Sequence, residues 1–307
     1  MRRAIAIFVI VAAFGLSFYG QRALNPPTQT DTPPSSEAGY SRIISLAPSI
    51  TETLYALDLG DRVIGVTNFC DFPPDVRSKP SVGGIIDTNY EAIMHLQPDV
   101  VVLYPVHRDA QIRIKELGIN TLTVDCRTLD GILESIQIIG TACHVIDRSE
   151  ALLADMHADM QAIRSKTEEL LRPTVLISAG RGKDGGTLGE VYAAGKGQWY
   201  DDIIEMAGGK NVFTDDTIPF PAVTGEGLVR LNPEVIVEMA PKDAHPNITA
   251  EAIISQWDVF PDINAVQTER IYVLDGDYTT IPGPRIVRIV EDLARVLHPG
   301  ADWGPHE

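Results

Sequence analysis

The chain repeats itself. Residues 91–102 read EAIMHLQPDVVV and residues 226–237 read EGLVRLNPEVIV. Each string places Glu seven residues ahead of a Pro, Leu two ahead of it, an acid directly after it, and then a β-branched run. A proline disfavours helix in the residue before it and so separates a short helix from the strand that follows. Both strands run out near a further proline, Pro105 and Pro241, and RIISLAPS at 42–49 has its echo in VLISAG at 175–180. A sequence built this way is constrained to fold as two related halves.

Within each half, short apolar runs alternate with helical patterns. The first half offers strands at 42–47, 62–67, 99–104 and 120–124, and helices at 50–59, 91–96, 108–117 and 129–145. Strands separated by helices imply a mostly parallel sheet with helices on its faces. Ser49 or Thr51 reads as the cap of the first helix. Residues 149–171 run 23 residues without Gly or Pro, with Leu152, Met156, Ile163 and Leu170 at near-helical spacing. This predicts a helix of roughly 35 Å, capped by Ser149 and stopped by Pro173. The fold class is therefore α/β: two Rossmann-like α/β lobes joined by one long rigid helix, with a ligand cleft between the lobes. The expected divisions are an N-terminal lobe at 41–147, a linking helix at 148–172, a C-terminal lobe at 173–299 and a tail at 300–307.

The N-terminus differs in kind. Arg2 and Arg3 precede an apolar run from Ile5 to Tyr19, the pattern of an export signal, so 1–20 reads as a signal peptide or an N-terminal membrane anchor. No Cys follows the run, which does not support a lipoprotein. Residues 21–40 hold four prolines and read as a disordered tether. The protein is expected outside the cytoplasm, periplasmic or otherwise extracytoplasmic.

Of 307 residues, 42 are acidic and 25 basic, a formal charge of −17. Such a surface repels phosphate backbones and argues against nucleic-acid binding. Cys70, Cys126 and Cys143 show no metal or redox spacing and read as packing residues. The seven histidines (His95, His107, His144, His157, His245, His298, His306) form no HxH or HxxxH pair, so no protein metal site is expected. No GxSxG or local Cys/His signature carries hydrolase chemistry.

Several residues remain as site candidates. Glu91 and Glu226 occupy equivalent helix starts. One reading of Glu91 is local, a capping box from Thr88 to Glu91. The other is that two matched exposed acids dock a partner with two matched basic residues. Gly180 to Gly185 fits GxGxxG after a strand, but the Gly-rich continuation is loop-like, so a dinucleotide site is disfavoured and Arg181 is read as a side chain reaching into a ligand cleft. Phe69, Tyr104, Trp199, Phe220, Tyr278 and Arg285 are expected in loops, several after strand ends, where α/β folds bind ligands. An aromatic lining suits a large, partly apolar ligand.

The body, about 41–298, resembles the periplasmic binding proteins that feed ABC importers of cobalamin and ferric siderophores. The residues that carry the likeness are RIISLAPSITETLYALDLGDRVIGVTNFCDFPP, VGGIIDTNYEAIMHLQPDVVVL, GKGQWYDDIIEMAGGKNVF and IPFPAV with GEGLVRLNPEVIV. The resemblance implies a non-catalytic monomeric receptor, with Glu91 and Glu226 contacting arginines of a membrane permease. It implies ligand contacts at Phe69, Tyr104, Phe220, Asp277, Tyr278 and Arg285. No cofactor is expected, since the ligand brings its own cobalt or iron. A corrinoid is the first choice, because few Arg or Lys stand among the candidates to meet a strongly anionic chelate. A ferric siderophore or haem is the alternative, and a membrane-tethered sensor or a cleft enzyme a more distant one.

Overall fold

The structure is a computed structural model and describes residues 39–184, 187–214, 218–242 and 248–304. The export segment at 1–20 and nearly all of the 21–40 tether lie outside the described residues. Among the described residues no helix is long and apolar enough to cross a membrane. The chain divides into two compact units, one of 39–157 with Pro282–Pro284, the other of 158–281 with 285–304.

The first unit holds a parallel sheet of β1 (Ile43–Ser45), β2 (Val63–Gly65), β3 (Val100–Leu103) and β4 (Asn120–Thr123), in the order β2-β1-β3-β4. Its helices are α1 (Pro48–Ala56), α2 (Tyr90–Leu96), α3 (Arg108–Glu116) and α4 (Leu129–Ala142). All four residues of β3 are buried, as a parallel strand covered on both faces must be. Ile44, Leu46, Ile93, Val101, Leu103 and Ile114 form one apolar cluster of the core.

The second unit is built on β5 (Thr174–Asp184), β6 (Thr187–Ala193), β7 (Lys210–Asn211), β8 (Ala222–Val223), β9 (Val235–Met239) and β10 (Ile271–Leu274). Its helices after the long linking helix α5 (Ile146–Thr167) are α6 (Trp199–Met206), α7 (Gly225–Leu231), α8 (Ala250–Ile254), α9 (Asn264–Gln267) and α10 (Ile286–Leu297). Strands β7, β5, β9 and β10 pair in parallel in that order. This is the β2-β1-β3-β4 order of the first unit over again. The addition is the antiparallel hairpin of β5 with β6, on which β8 pairs.

The repeat holds to the level of single hydrogen bonds. In the first unit Ile43 registers with Val100, and in the second Val175 with Val235. The acid after each Pro fastens the first strand. Asp99 accepts from the Ser41 amide (3.0 Å), the Ser41 hydroxyl (2.7 Å) and the Arg42 amide (2.9 Å). Glu234 accepts from the Thr174 amide (2.7 Å) and hydroxyl (2.9 Å). The residue before each Pro, Gln97 at φ 46° and Asn232 at φ 44°, is left-handed and ends its helix. Burial pushes the Asp99 carboxyl up, but the bonds from Ser41 and Arg42 outweigh it and hold the group below its usual value. Thr174 amide bonding holds Glu234 down as well. Both acids therefore add stability that is present above their unfolded values and is lost as pH falls through the folded ones. We expect Asp99→Ala to lower stability by about 1–2 kcal/mol near neutral pH. Thermal unfolding at pH 7 and pH 3 measures it, and the loss is smaller at pH 3.

Several boundaries differ from expectation. The described residues begin at Gly39, and the two ahead of residue 41 are packed against the first unit. Gly39 takes φ +68° where a Cβ would stand 2.7 Å from the Cys143 carbonyl, and Tyr40 is buried with its carbonyl accepting from Arg62. Helix α1 begins at Pro48 after Ala47 and has no side-chain cap, so neither Ser49 nor Thr51 caps it. Ser149 lies inside α5 and bonds back to the Ile146 carbonyl (2.8 Å). It is held there because α4 passes close by: a Cβ on Gly140 would stand 2.3 Å from the Ser149 hydroxyl. The tail is packed as far as Trp303, which donates to the His298 carbonyl (2.9 Å) and lies under Arg295 and Lys166.

Candidate functional site

Helices α2 and α7 set the two matched acids. Each is seven residues long, and Glu91 and Glu226 are the second residue of theirs. Both acids are exposed. The caps are other residues: the Asn89 side chain accepts from Ala92 (3.0 Å) and the Thr224 hydroxyl from Gly227 (3.4 Å). A capping box needs its acid at the third helical position. Neither Glu stands there, so the Thr88-to-Glu91 box is corrected to a cap by Asn89. The C-terminal end of α2 lies at the start of the sheet, where Arg42 donates to the Leu96 and Gln97 carbonyls. Glu91 at the other end therefore lies toward the edge where the parallel strands finish, and the repeated connection puts Glu226 at the same edge of its own sheet.

Strand ends also carry the aromatic candidates of the first unit. Phe69 follows β2, half-buried, with its ring against Gly84. Cys70 beside it is buried and bonded to the Thr51 (3.1 Å) and Thr67 (3.2 Å) hydroxyls, and burial pushes its thiol up. Tyr104 follows β3 but is only 8% exposed. Its hydroxyl is hydrogen-bonded to Ser49, its amide donates to His107 Nδ1 (3.1 Å), and its ring stacks on His107 at 6.0 Å. Burial raises the Tyr104 phenol well above its usual value and lowers His107 to about 4. Tyr104 is thus packed into its own unit. Burial lifts Cys126 and Cys143 to about 11, so all three buried thiols stay protonated.

In the second unit the loop after β10 gathers Asp277, Tyr278 and Arg285. Arg285 pairs with Asp277 at 2.8 Å, its guanidinium lies 5.5 Å from the Tyr278 ring centre, and Arg288 lies 4.8 Å from the same ring. Tyr278 donates to Asp292 (2.7 Å), and burial first, then this carboxylate, push its phenol up to about 12. The loop therefore presents a half-buried aromatic flanked by two cations. Phe220 is half-buried and meets Tyr200 edge-on at 6.3 Å.

Two expectations about this unit are corrected. Residues 180–184 are strand, not loop, because they pair with β6 as a hairpin. Arg181 is accordingly drawn inward: its Nε lies 3.2 Å from Glu238 and its Nη1 donates to Gln256 (3.0 Å). Trp199 is not a loop aromatic. It opens α6, is buried and stacks on Tyr200 at 3.6 Å. Sequence reasoning missed Glu238 and Trp257, which bond to each other at 2.7 Å in the core. Among the described residues no group of three or more His, Cys, Asp or Glu is arranged to hold a metal ion.

Two duplicated α/β units, each with an exposed acid and side chains gathered at the strand ends, are what a solute-capturing protein presents. The chain belongs to the periplasmic binding protein family, whose model matches residues 43–278. It is 32% identical over 266 residues, covering 84% of this chain and 80% of the relative, to the uncharacterized ABC transporter substrate-binding lipoprotein YvrC of Bacillus subtilis. It is 26% identical over 272 residues to the vitamin B12-binding protein of Vibrio cholerae, with 83% of this chain and 88% of that one covered. Among solved structures, the apo periplasmic heme-binding protein RhuT of Roseiflexus sp. RS-1 matches with a TM-score of 0.71 and 25% identity, over 85% of this chain and 99% of that chain.

Proposed function

We propose that this protein is the extracytoplasmic substrate-binding component of an ABC importer, that it captures one corrinoid-type metal chelate and that it delivers it to the membrane permease. The observation that carries the reading is the exposed acid repeated at the same helical position in both units, beside relatives that serve ABC transporters and bind vitamin B12. Glu91 and Glu226 dock the permease. Phe69 from the first unit, with Phe220, Asp277, Tyr278 and Arg285 from the second, contact the ligand. Tyr104 and Arg181 are engaged within their own units, Tyr104 with Ser49 and His107 and Arg181 with Glu238 and Gln256. The reading assigns no chemical step, since the chelate supplies its own metal. The N-terminal segment directs export.

Haem is the second reading, favoured by the likeness to a heme-binding protein and by the Tyr278 ring flanked by Arg285 and Arg288, which suits propionate groups. Titration calorimetry of the exported protein with cyanocobalamin, a ferric hydroxamate and haemin separates the two. We expect one-to-one binding of cobalamin, with quenching of tryptophan fluorescence. A preference for haemin moves the assignment to the second reading, and binding of none of the three overturns the ligand class.

A further inference from the structure

The two matched acids do not stand alone on their helices. Three residues on from Glu91 is Met94, and three on from Glu226 is Val229. Residues three apart on a helix share a face. Met94 is 52% exposed and Val229 40% exposed, while the residue before each, Ile93 and Leu228, is fully buried. The register of buried and exposed positions is therefore the same on both helices. Each unit exposes a further apolar side chain in a segment that adjoins the same helix. Ile86 lies in the loop entering α2, and Val259 adjoins Phe260, whose ring lies against Gly225 at the start of α7. Two of the ten large apolar side chains exposed among the described residues, Met94 and Val229, thus share a helix face with the two acids.

A solvent-facing Met or Val at a random surface position needs no explanation. The same apolar position kept exposed beside the same acid in both compact units is a different matter. We propose that Glu91 with Met94 and Glu226 with Val229 form two copies of one docking element, each an acid beside an apolar anchor, and that the permease offers two equivalent sockets in which a basic side chain borders an apolar pocket. This rests on the importer reading above and extends it. Charge complementarity selects such a partner over a second copy of this chain, since in a self-pair these faces would bring acid against acid on a protein of net charge −17. The two parts divide the work. The acids steer encounter and make association salt-sensitive, and the apolar anchors, once desolvated, hold the complex together.

The test is binding kinetics of the full-length protein to its own permease held in nanodiscs, at several salt concentrations. For Met94→Ala with Val229→Ala we expect dissociation at least about tenfold faster, with the association rate and its salt dependence as in wild type. Glu91→Gln with Glu226→Gln lowers the association rate and flattens its salt dependence. Ile112→Ala, at an equally exposed site on α3, changes neither rate. All of these side chains are exposed, so thermal midpoints stay at the wild-type value. If the Met94/Val229 variant dissociates like wild type while the acid variant still loses its salt dependence, the apolar anchors are refuted and the importer reading stands. If the wild-type protein does not bind the permease at all, the importer reading fails and this inference with it. A change in self-association rather than permease binding also overturns it.

Discussion

We expect reversal of both acids, Glu91→Lys with Glu226→Lys, to stop uptake of the ligand by cells while the purified protein binds it as tightly as before. With the acids docking the permease as proposed, each reversal would set a lysine against a basic residue of that partner. Like charges brought together across an interface cost several kcal/mol, and every 1.4 kcal/mol is about tenfold in affinity. Two reversals together weaken docking by on the order of a thousandfold or more. The acids belong to separate units, so a single reversal removes about half of that free energy and leaves partial uptake. The protein still folds, because neither side chain is buried or caps its helix, and the cost of a lysine in each first turn is about 1 kcal/mol or less. Uptake of labelled ligand and calorimetry on the same variant decide the matter. If ligand affinity collapses together with uptake, the acids line the binding site and the docking role is lost.

The same pair shows why part of this molecule is legible from sequence. A proline with fixed neighbours reports on its own surroundings: it breaks the helix, and the acid beside it ties down the adjacent strand. Those effects act over a few residues, so EAIMHLQPDVVV and EGLVRLNPEVIV announce α2 with β3 and α7 with β9 without reference to the rest of the chain. Features that depend on distant partners stay hidden. Gly180 and Gly182 look like loop residues, yet they lie in β5 because β6 returns along it, and a Cβ on Gly180 would sit at an ordinary 3.9 Å from Tyr192. Glu238 interrupts an apolar run, yet it is buried along with the residues on either side of it. Its partners, Arg181 and Trp257, are 57 and 19 residues away, and no local pattern joins them. The break between α4 and α5 is hidden for another reason. It turns on His144 at φ 56°, a left-handed conformation that a glycine would have advertised and a histidine does not.

That concealed group makes the largest stability prediction. Glu238 is 2% exposed, accepts from Trp257 and faces Arg181, whose side chain is 14% exposed. Burial raises the carboxyl above its usual value, and Arg181, Ser178 and Trp257 pull it back without fully offsetting the burial. A folded value above the unfolded one means that stability is greatest below the unfolded value and declines as pH rises through the folded one. Arg181→Met removes the only cation paired with this carboxylate among the described residues. Stranding one charge of a buried pair costs about 3–5 kcal/mol near neutral pH, a drop of roughly 10 °C in the thermal midpoint for units of this size. In the variant the carboxyl rises further and takes up its proton at higher pH, so the deficit against wild type shrinks as pH falls from 7 to 5. Adding Glu238→Gln restores much of the loss, because a neutral amide keeps the bond from Trp257 and needs no counter-charge. Thermal unfolding across this pH range distinguishes charge from packing. A deficit that is the same at both pH values, or one that Glu238→Gln fails to relieve, would mean that Arg181 matters through the packing of its side chain against the β5–β6 hairpin and not through the charge it supplies.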